Sequence, residues 1–265
     1  MFEIEAIDIE AAFLEGDITI PTFIEFPEGL EELGFIFPGE GEKYCIQLLK
    51  SMYGNVDAAL KFFKTYVKHL TAENGCGLTQ SKADPCVFFK RDKNGKTVLL
   101  AVAWVDDTVF VGTREEIDRV KTEINKRFNY TEQKGFVKHL GVWYKEKRDE
   151  DGERYLEANM SDTVENIIKT YEKDGATAKL YKTPGTPGIS TEKHEGEPHE
   201  ATLYRKIVGK IMYLVCKLMP EGSNAARELS RQFGNPNEEH WKEVERFIGY
   251  LKEKKEELKL VYRKP

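Results

Sequence analysis

The chain has 265 residues, of which 40% are hydrophobic and 32% are charged, and its formal net charge is −6. This composition indicates a folded globular protein, and no apolar run approaches the roughly 20 residues that a membrane-spanning helix needs. The acidic balance argues against a dedicated nucleic-acid binder, and the N-terminus lacks the features of a secretion signal, which predicts a cytoplasmic or nuclear location.

Charge is distributed unevenly along the chain. Residues 1–49 contain twelve acidic residues and one basic residue, a net charge of −11, whereas residues 201–265 contain fourteen basic and nine acidic residues, a net charge of +5. A cation-holding end and a phosphate-facing end would give this distribution, and so would two ordinary solvated surfaces.

The first predicted element is a strand over residues 2–9, in which apolar and acidic residues alternate. Because this strand has no lead-in, we expect that an upstream segment is missing. An extended segment at 18–30 and a short strand at 44–49 come next. A helix is predicted at 57–73, where apolar residues recur at helical spacing after Asp57, a suitable N-cap.

The segment Thr97–Gly112 contains two apolar, β-branched runs separated only by Asp106 and Asp107. We predict a hairpin that is buried on both faces and has these two carboxylates at its turn. Asp-Asp is a poor hairpin turn, because the favoured turns need residues that tolerate a positive φ, such as Asn-Gly. The pair therefore indicates a role other than turn formation.

A second helix at 113–128 and a strand at 139–147 complete the order β-α-β-β-α-β, which is typical of ferredoxin-like folds. The first and third strands are the central ones in that topology. A further strand is predicted just before the Asn94-Gly95 turn and counts as the second. Asp8 lies on the first strand and the Asp106-Asp107 hairpin begins with the third, so these carboxylates should meet at one sheet edge. His69 and the four other histidines read as structural or solvated.

The character of the chain changes after residue 160. A short helix at 161–173, a flexible surface connection at 182–200 and three further helices are predicted, followed by a last strand at 258–263. The predicted fold is therefore α+β, with one domain at 1–160 and a mostly helical module at 161–265.

Three clustered carboxylates repel one another unless a cation neutralises them. Oxygen ligands without other donors suit Mg²⁺ or Mn²⁺, which complete their coordination with water and phosphate. Two such ions can bind the attacking and leaving oxygens of a phosphoryl transfer. The residues therefore suggest two-metal nucleotidyl transfer.

Several motifs, in order, resemble the reverse transcriptase of copia-type retrotransposons, and the resemblance covers almost the whole chain. They are DIEAAFLEGD with FIEFPEGL, IQLLKSMYGNVDAALKFF, AWVDDTVFVG, HLGVWY, YRKIVGKIMYL, ELSRQFGNPNEEHW and FIGYLKEKKEELKLVY. The resemblance implies a polymerase palm at 1–160 and a thumb and connection module at 161–265, without the N-terminal fingers segment and without the ribonuclease H domain.

By this resemblance, the catalytic and metal-binding triad is Asp8, Asp106 and Asp107, with Mg²⁺ or Mn²⁺ as cofactor. The resemblance also implies a set of nucleotide-binding residues: Ile9, Ala12, Phe13, Tyr53 and Gly54. Among them, Phe13 corresponds to the bulky residue that crowds a ribose 2′-hydroxyl and so favours deoxynucleotides. An ordinary core role for Phe13 is compatible with this.

The sequence departs from the family pattern at several positions. Trp104 stands where the family usually has Tyr or Phe, and Asn55-Val56-Asp57 replaces the common Leu-Lys-Gln. A carboxylate in place of a lysine weakens contact with phosphates. Thr131 aligns with a family lysine that is the proposed proton donor to pyrophosphate.

Two hypotheses follow for the function. The first is an RNA-directed DNA polymerase that adds dNTPs to a primer on an RNA or DNA template. The second is a reverse-transcriptase remnant that serves as a structural or protein-interaction subunit, and in either case a protein partner would replace the missing fingers. A third class, a palm-type nucleotide cyclase, is disfavoured by the order of the motifs.

Overall fold

The computed structural model describes residues 2–30, 32–35, 43–134, 136–173, 175–187 and 196–263. It confirms the α+β class, because helices alternate with antiparallel sheets. The chain forms two compact units, Met1–Gly135 and Phe136–Pro265. Within the described residues, no helix is both long enough and apolar enough to cross a membrane.

The first unit contains eight strands and two α-helices among its described residues. In chain order they are β1 (Phe2–Ile9), β2 (Asp17–Ile24), β3 (Ile46–Lys50), α1 (Ala58–Thr71), β4 (Thr79–Gln80), β5 (Val87–Arg91), β6 (Thr97–Trp104), β7 (Asp107–Thr113), α2 (Arg114–Asn125) and β8 (Tyr130–Lys134). Strands β2 and β3 pair with each other as a separate two-stranded sheet.

The main sheet of this unit has the strand order β4-β5-β6-β7-β1-β8, so that β1 lies between β7 and β8. The strand beside β1 is therefore the second arm of the predicted hairpin, not its first arm. The prediction that 139–147 completes this sheet is wrong. That place belongs to β8, five residues of which pair with β1, while residues 136–148 pair into another sheet.

Helices α1 and α2 cover one face of the main sheet. Phe62 and Tyr66 of α1 and Ile117 of α2 share one buried cluster with sheet residues such as Leu99 and Phe110. This contact between helices and sheet follows from the alternation of side chains along a strand, because every second residue of β6 and β7 faces the helices.

The other face of the hairpin is accessible, so the prediction that the hairpin is buried on both faces is wrong. Leu100, Val102 and Trp104 are 39%, 38% and 55% exposed, while the alternate residues of β6 are buried. The apolar residues of the hairpin therefore do not indicate which of its faces is covered.

The two helix starts differ in how they are capped. The Thr113 hydroxyl accepts a hydrogen bond from the backbone N–H of Glu116, as its capping-box spacing predicts. Asp57 precedes α1, but its side chain makes no capping hydrogen bond and forms an ion pair with Lys61 at 2.9 Å.

The second unit combines a sheet with four helices among its described residues. Its elements are β9 (Phe136–His139), β10 (Val142–Arg148), β11 (Arg154–Asn159), α3 (Ser161–Glu172), α4 (Ala201–Lys217), α5 (Ser223–Ser230), α6 (Glu238–Lys254) and β12 (Lys259–Arg263). The sheet order is β12-β11-β10-β9, and the helices share their own buried cluster.

The boundary between the units lies at residues 135 and 136, whereas the sequence analysis placed it at 160 and 161. The difference arises because β9, β10 and β11 pair with β12 near the C-terminus. Within the predicted connection at 182–200, residues 188–195 lie outside the described residues.

Candidate active site

The turn of the central hairpin consists of Val105 and Asp106. Trp104 and Asp107 are cross-strand partners, so Asp107 is the first residue of β7 and not a turn residue. The prediction that Asp106 and Asp107 form the turn is therefore shifted by one residue. Val105 has φ +55, which the favoured two-residue turns require but which is strained for a β-branched side chain.

Strand β1 brings Asp8 to this turn. Asp8 is the direct cross-strand partner of Asp107, and residues in such a pair project from the same face of the sheet. The backbone N–H of Ile9 donates a hydrogen bond to the carbonyl of Asp106 at 2.9 Å, which ties the end of β1 to the turn. The structure thus places Asp8 beside Asp107, and it places Asp106 in the adjoining turn.

The carboxylates at this end of the sheet repel one another. Burial, the charge of Asp106 and the charge of Glu10 raise the pKa of Asp8 above its usual range. Burial, Asp106 and Asp8 raise the pKa of Asp107 to about 6. Within the described residues, none of the predicted triad forms an ion pair with a lysine or arginine. The charge of this cluster is therefore not compensated by the described part of the chain.

A hard divalent cation suits the donor atoms of this cluster, because Asp8, Asp106 and Asp107 offer only carboxylate oxygens. Mg²⁺ is commonly held by one or two carboxylates, while water and substrate phosphates complete its coordination. Among the described residues, no three acidic, histidine or cysteine side chains are already arranged to hold a metal ion.

The residues predicted to contact a nucleotide fall into two groups. The side chains of Ile9 and Ala12 are buried in the core cluster at 2% and 3% exposure, so Ile9 could reach a ligand only through its backbone. Phe13 is half-buried and meets the exposed ring of Tyr53 edge to face, with ring centroids 5.3 Å apart. Gly54 has φ +95, and a Cβ added at this position would meet no atom of the described chain within 4 Å.

Two features near the triad were missed or only partly foreseen by the sequence analysis. Glu10 acts on Asp8 as a further carboxylate, and its position two residues along the chain was a usable signal. Thr131 lies on β8 directly opposite Asp8, so the position aligned with a family lysine carries an uncharged side chain beside the site.

A buried charged residue within β1 was also missed by the sequence analysis. Glu5, three residues before Asp8, is 1% exposed and forms an ion pair with Lys121 of α2 at 2.8 Å. Its position in an alternating strand gave no sign of burial, because Glu3 and Glu5 resemble the solvent face of an edge strand.

Comparisons with known proteins identify a family for this chain. The sequence profile described as "Reverse transcriptase (RNA-dependent DNA polymerase)" matches residues 2–181. This match includes β1, the central hairpin and therefore all three predicted triad residues.

Curated relatives come from plant and yeast transposons. The Retrovirus-related Pol polyprotein from transposon TNT 1-94 of Nicotiana tabacum is 26% identical over 94% of this chain and 18% of the relative. That from transposon RE2 of Arabidopsis thaliana is 25% identical over 94% of this chain and 16% of the relative. The putative transposon Ty5-1 protein of Saccharomyces cerevisiae is 24% identical, over 92% of this chain and 74% of the relative.

The chain spans less than a fifth of the two plant polyproteins that it matches. The predicted relationship is confirmed by both the profile and the relatives. The chain therefore belongs to the reverse transcriptase family, in the copia-type branch of retrotransposon Pol proteins.

Proposed function

We propose that this chain is an RNA-directed DNA polymerase that adds dNTPs to a primer 3′-hydroxyl. One observation carries the proposal: Asp8 faces Asp107 across β1 and β7, with Asp106 in the adjoining turn. The described residues leave these carboxylates without ion pairs, and two of them have raised pKa values. Uncompensated carboxylates with shifted pKa values are typical of functional sites.

The arrangement of the first unit supports a polymerase palm. The order β6-β7-β1-β8, with α1 and α2 on one face, corresponds to a ferredoxin-like sheet. In this proposal the first unit supplies the palm, and the helices of the second unit supply the thumb and connection.

Mg²⁺ or Mn²⁺, when bound, would supply positive charge to phosphate oxygens during transfer. The proposed role of Asp8, Asp106 and Asp107 is to hold these ions, and cation binding would relieve their mutual repulsion. Phe13, which packs against Tyr53, is proposed to contact the sugar of the incoming nucleotide.

The proposed contribution of the second unit is a basic helix face. Helix α4 contains four basic residues and no acidic residue, and Arg205, Lys206 and Lys217 are exposed. Gly209 lies in mid-helix, where an added Cβ would meet no atom of the described chain within 4 Å outside its own helix. A glycine there costs about 1 kcal/mol relative to alanine. Close approach of a primer–template backbone would explain both features.

The departures from the family pattern at Asn55-Val56-Asp57 and at Thr131 are compatible with the alternative, a silent remnant that acts as a structural subunit. Mutual repulsion at the triad destabilises the fold when no cation is present, and a structural subunit gains nothing from it. The polymerase proposal gives the same cluster a use.

Primer extension tests the proposal directly. The purified chain should extend a DNA primer on an RNA or DNA template with Mg²⁺ or Mn²⁺, and Asp106→Asn should reduce the product below detection. The control is Glu115→Gln, which neutralises an exposed carboxylate of α2 outside the triad. Normal extension by Asp106→Asn would refute the triad assignment. Absence of product from the unaltered chain under all conditions, together with absence of metal binding, would favour the remnant.

A further inference from the structure

A buried charge network holds the middle of β1 against α2. Glu5 is 1% exposed and Lys121 is 5% exposed, and their charged groups lie 2.8 Å apart. Arg114, at the start of α2, contacts the second carboxylate oxygen of Glu5. Lys121 also contacts Glu132 of β8, so one lysine joins two neighbouring strands through one helix.

The outer members of this network have partners besides Glu5 and Lys121. Arg114 also contacts Glu3 and lies 3.5 Å from Asp118. Glu132 lies 3.1 Å from Lys134. Removing Glu5 and Lys121 together would therefore leave each outer charge with a partner of opposite sign.

The apolar residues of β1 do not specify its register by themselves. Ile4 and Ala6 lie on one face of the strand, and Ile7 and Ile9 lie on the other, so both faces are apolar. A slip of two residues preserves the face of every side chain. Such a slip would place Ala6 or Glu10 opposite Asp107 in the place of Asp8.

The buried ion pair distinguishes between these registers. A slip of two residues moves β1 by about 6.6–6.8 Å along its axis, which is more than twice the length of an ion pair. In the slip that places Ala6 opposite Asp107, Glu5 would move into the buried place of Ile7, away from Lys121. In the opposite slip, Ile7 would face Lys121, whose remaining carboxylate partner is Glu132. Buried pairs add little net stability, but the loss of one partner is strongly unfavourable, so they favour one arrangement over its competitors.

We propose that the buried Glu5–Lys121 pair sets the register of β1 and thereby places Asp8 opposite Asp107. Glu5 and Lys121 are positioning residues, since they act on the site through the strand and not through contact with a ligand. The register of β1 does not depend on the proposed function, but the catalytic role that we give to this register rests on the proposed function.

The test removes the pair without leaving a buried charge. In the full chain, Glu5→Leu combined with Lys121→Met should fold with nearly unchanged thermal stability. Nuclear Overhauser contacts between residues 8 and 107 should weaken or split into several sets. Mn²⁺ affinity at the triad should fall at least tenfold. Lys121→Arg keeps the charge pair, and we expect it to retain both the contacts and the affinity.

A single set of contacts between residues 8 and 107, with unchanged Mn²⁺ affinity, would overturn the proposal. If the Leu/Met variant does not fold, Glu5→Gln with Lys121→Gln replaces it and should give the same loss of register. Failure of both double variants to fold would also overturn the proposal, because the pair would then be needed for folding itself. If the unaltered chain binds no Mn²⁺, the proposed function fails, whereas the strand contacts still report the register.

Discussion

Glu5 and Asp8 lie three residues apart on β1, yet their carboxylates have opposite surroundings. Glu5 is almost fully buried and is held by Lys121 and Arg114. Asp8 is less buried than Glu5, and burial together with repulsion from Asp106 and Glu10 raises its pKa. The presence of cations, and not the depth of burial, separates the two carboxylates. One group has its charge balanced by the fold, and the other is left for a ligand to balance.

The pKa of Lys121 shows how the first group is balanced. Burial acts to lower the pKa of this lysine, but its contacts with Glu132 and Glu5 outweigh burial, and the pKa is raised. Lys121 therefore stays charged in its buried position.

The largest effect is expected from Lys121→Met alone. This change leaves Glu5 buried with Arg114 as its remaining cation, and breaking one side of a buried pair costs about 3 kcal/mol of unfolding free energy. Urea denaturation would measure the loss. The matched control is Lys134→Met, which removes an exposed partner of Glu132 and should cost less than about 1 kcal/mol. Equal costs for the two variants would show that the buried Glu5–Lys121 pair contributes no more to stability than an exposed ion pair.

In the carboxylate cluster of Asp8, Asp106 and Asp107, we expect Asp107→Asn to stabilise the protein. Burial and two neighbouring carboxylates raise the pKa of Asp107 from 3.8 to about 6, so its charged form is disfavoured at pH 7.5. Allowing for its partial exposure to solvent, the gain should be about 1–2 kcal/mol in unfolding free energy. Urea denaturation with EDTA measures it. A loss of stability would contradict the repulsion on which the site assignment depends.

The gain from Asp107→Asn should depend on pH. The folded-state pKa of Asp107 is raised, so the folded protein binds more protons than the unfolded chain between about pH 4 and pH 6. Stability contributed by this residue therefore falls as pH rises through that window, and the full cost is present above it. The difference between variant and unaltered chain should vanish near pH 4. A difference that is constant with pH would point to packing instead.

The smallest effect is expected from Glu10→Gln. Glu10 is the weakest of the causes that raise the pKa of Asp8. Its neutralisation should stabilise the protein by about 0.5 kcal/mol or less and lower the Asp8 pKa slightly. Carboxyl NMR titration of Asp8 would detect the shift, and Glu115→Gln should leave that titration unchanged.

The sequence was sufficient to predict several elements and the meeting of Asp8 with Asp107. Helix α1 was predicted at 57–73 and lies at Ala58–Thr71, because its apolar periodicity is strong. Asp8 and Asp107 meet although the predicted strand order was wrong, because Asp107 begins the second arm of the hairpin and that arm pairs with β1.

The remaining features depend on contacts that local patterns do not encode. The turn at Val105 was missed because local preference favours glycine at a positive φ, and the strain of about 1–3 kcal/mol must be compensated by the surrounding sheet. The Glu5–Lys121 pair joins residues 116 positions apart, so no short-range pattern could reveal it. β8 was missed because its five residues, YTEQK, carry a weak apolar signal.

The position of β1 between β7 and β8 also determines when the candidate site can form. Both partner strands lie within residues 107–134, so β1 has no neighbour in its sheet until that part of the chain has been synthesised. At 5–20 residues per second, a ribosome needs roughly 5–25 s to add the intervening residues. During that time both hydrogen-bonding edges of β1 are open. The candidate site is thus assembled late in the folding of its own unit, by closure of a contact between distant segments, which is a slow class of folding event.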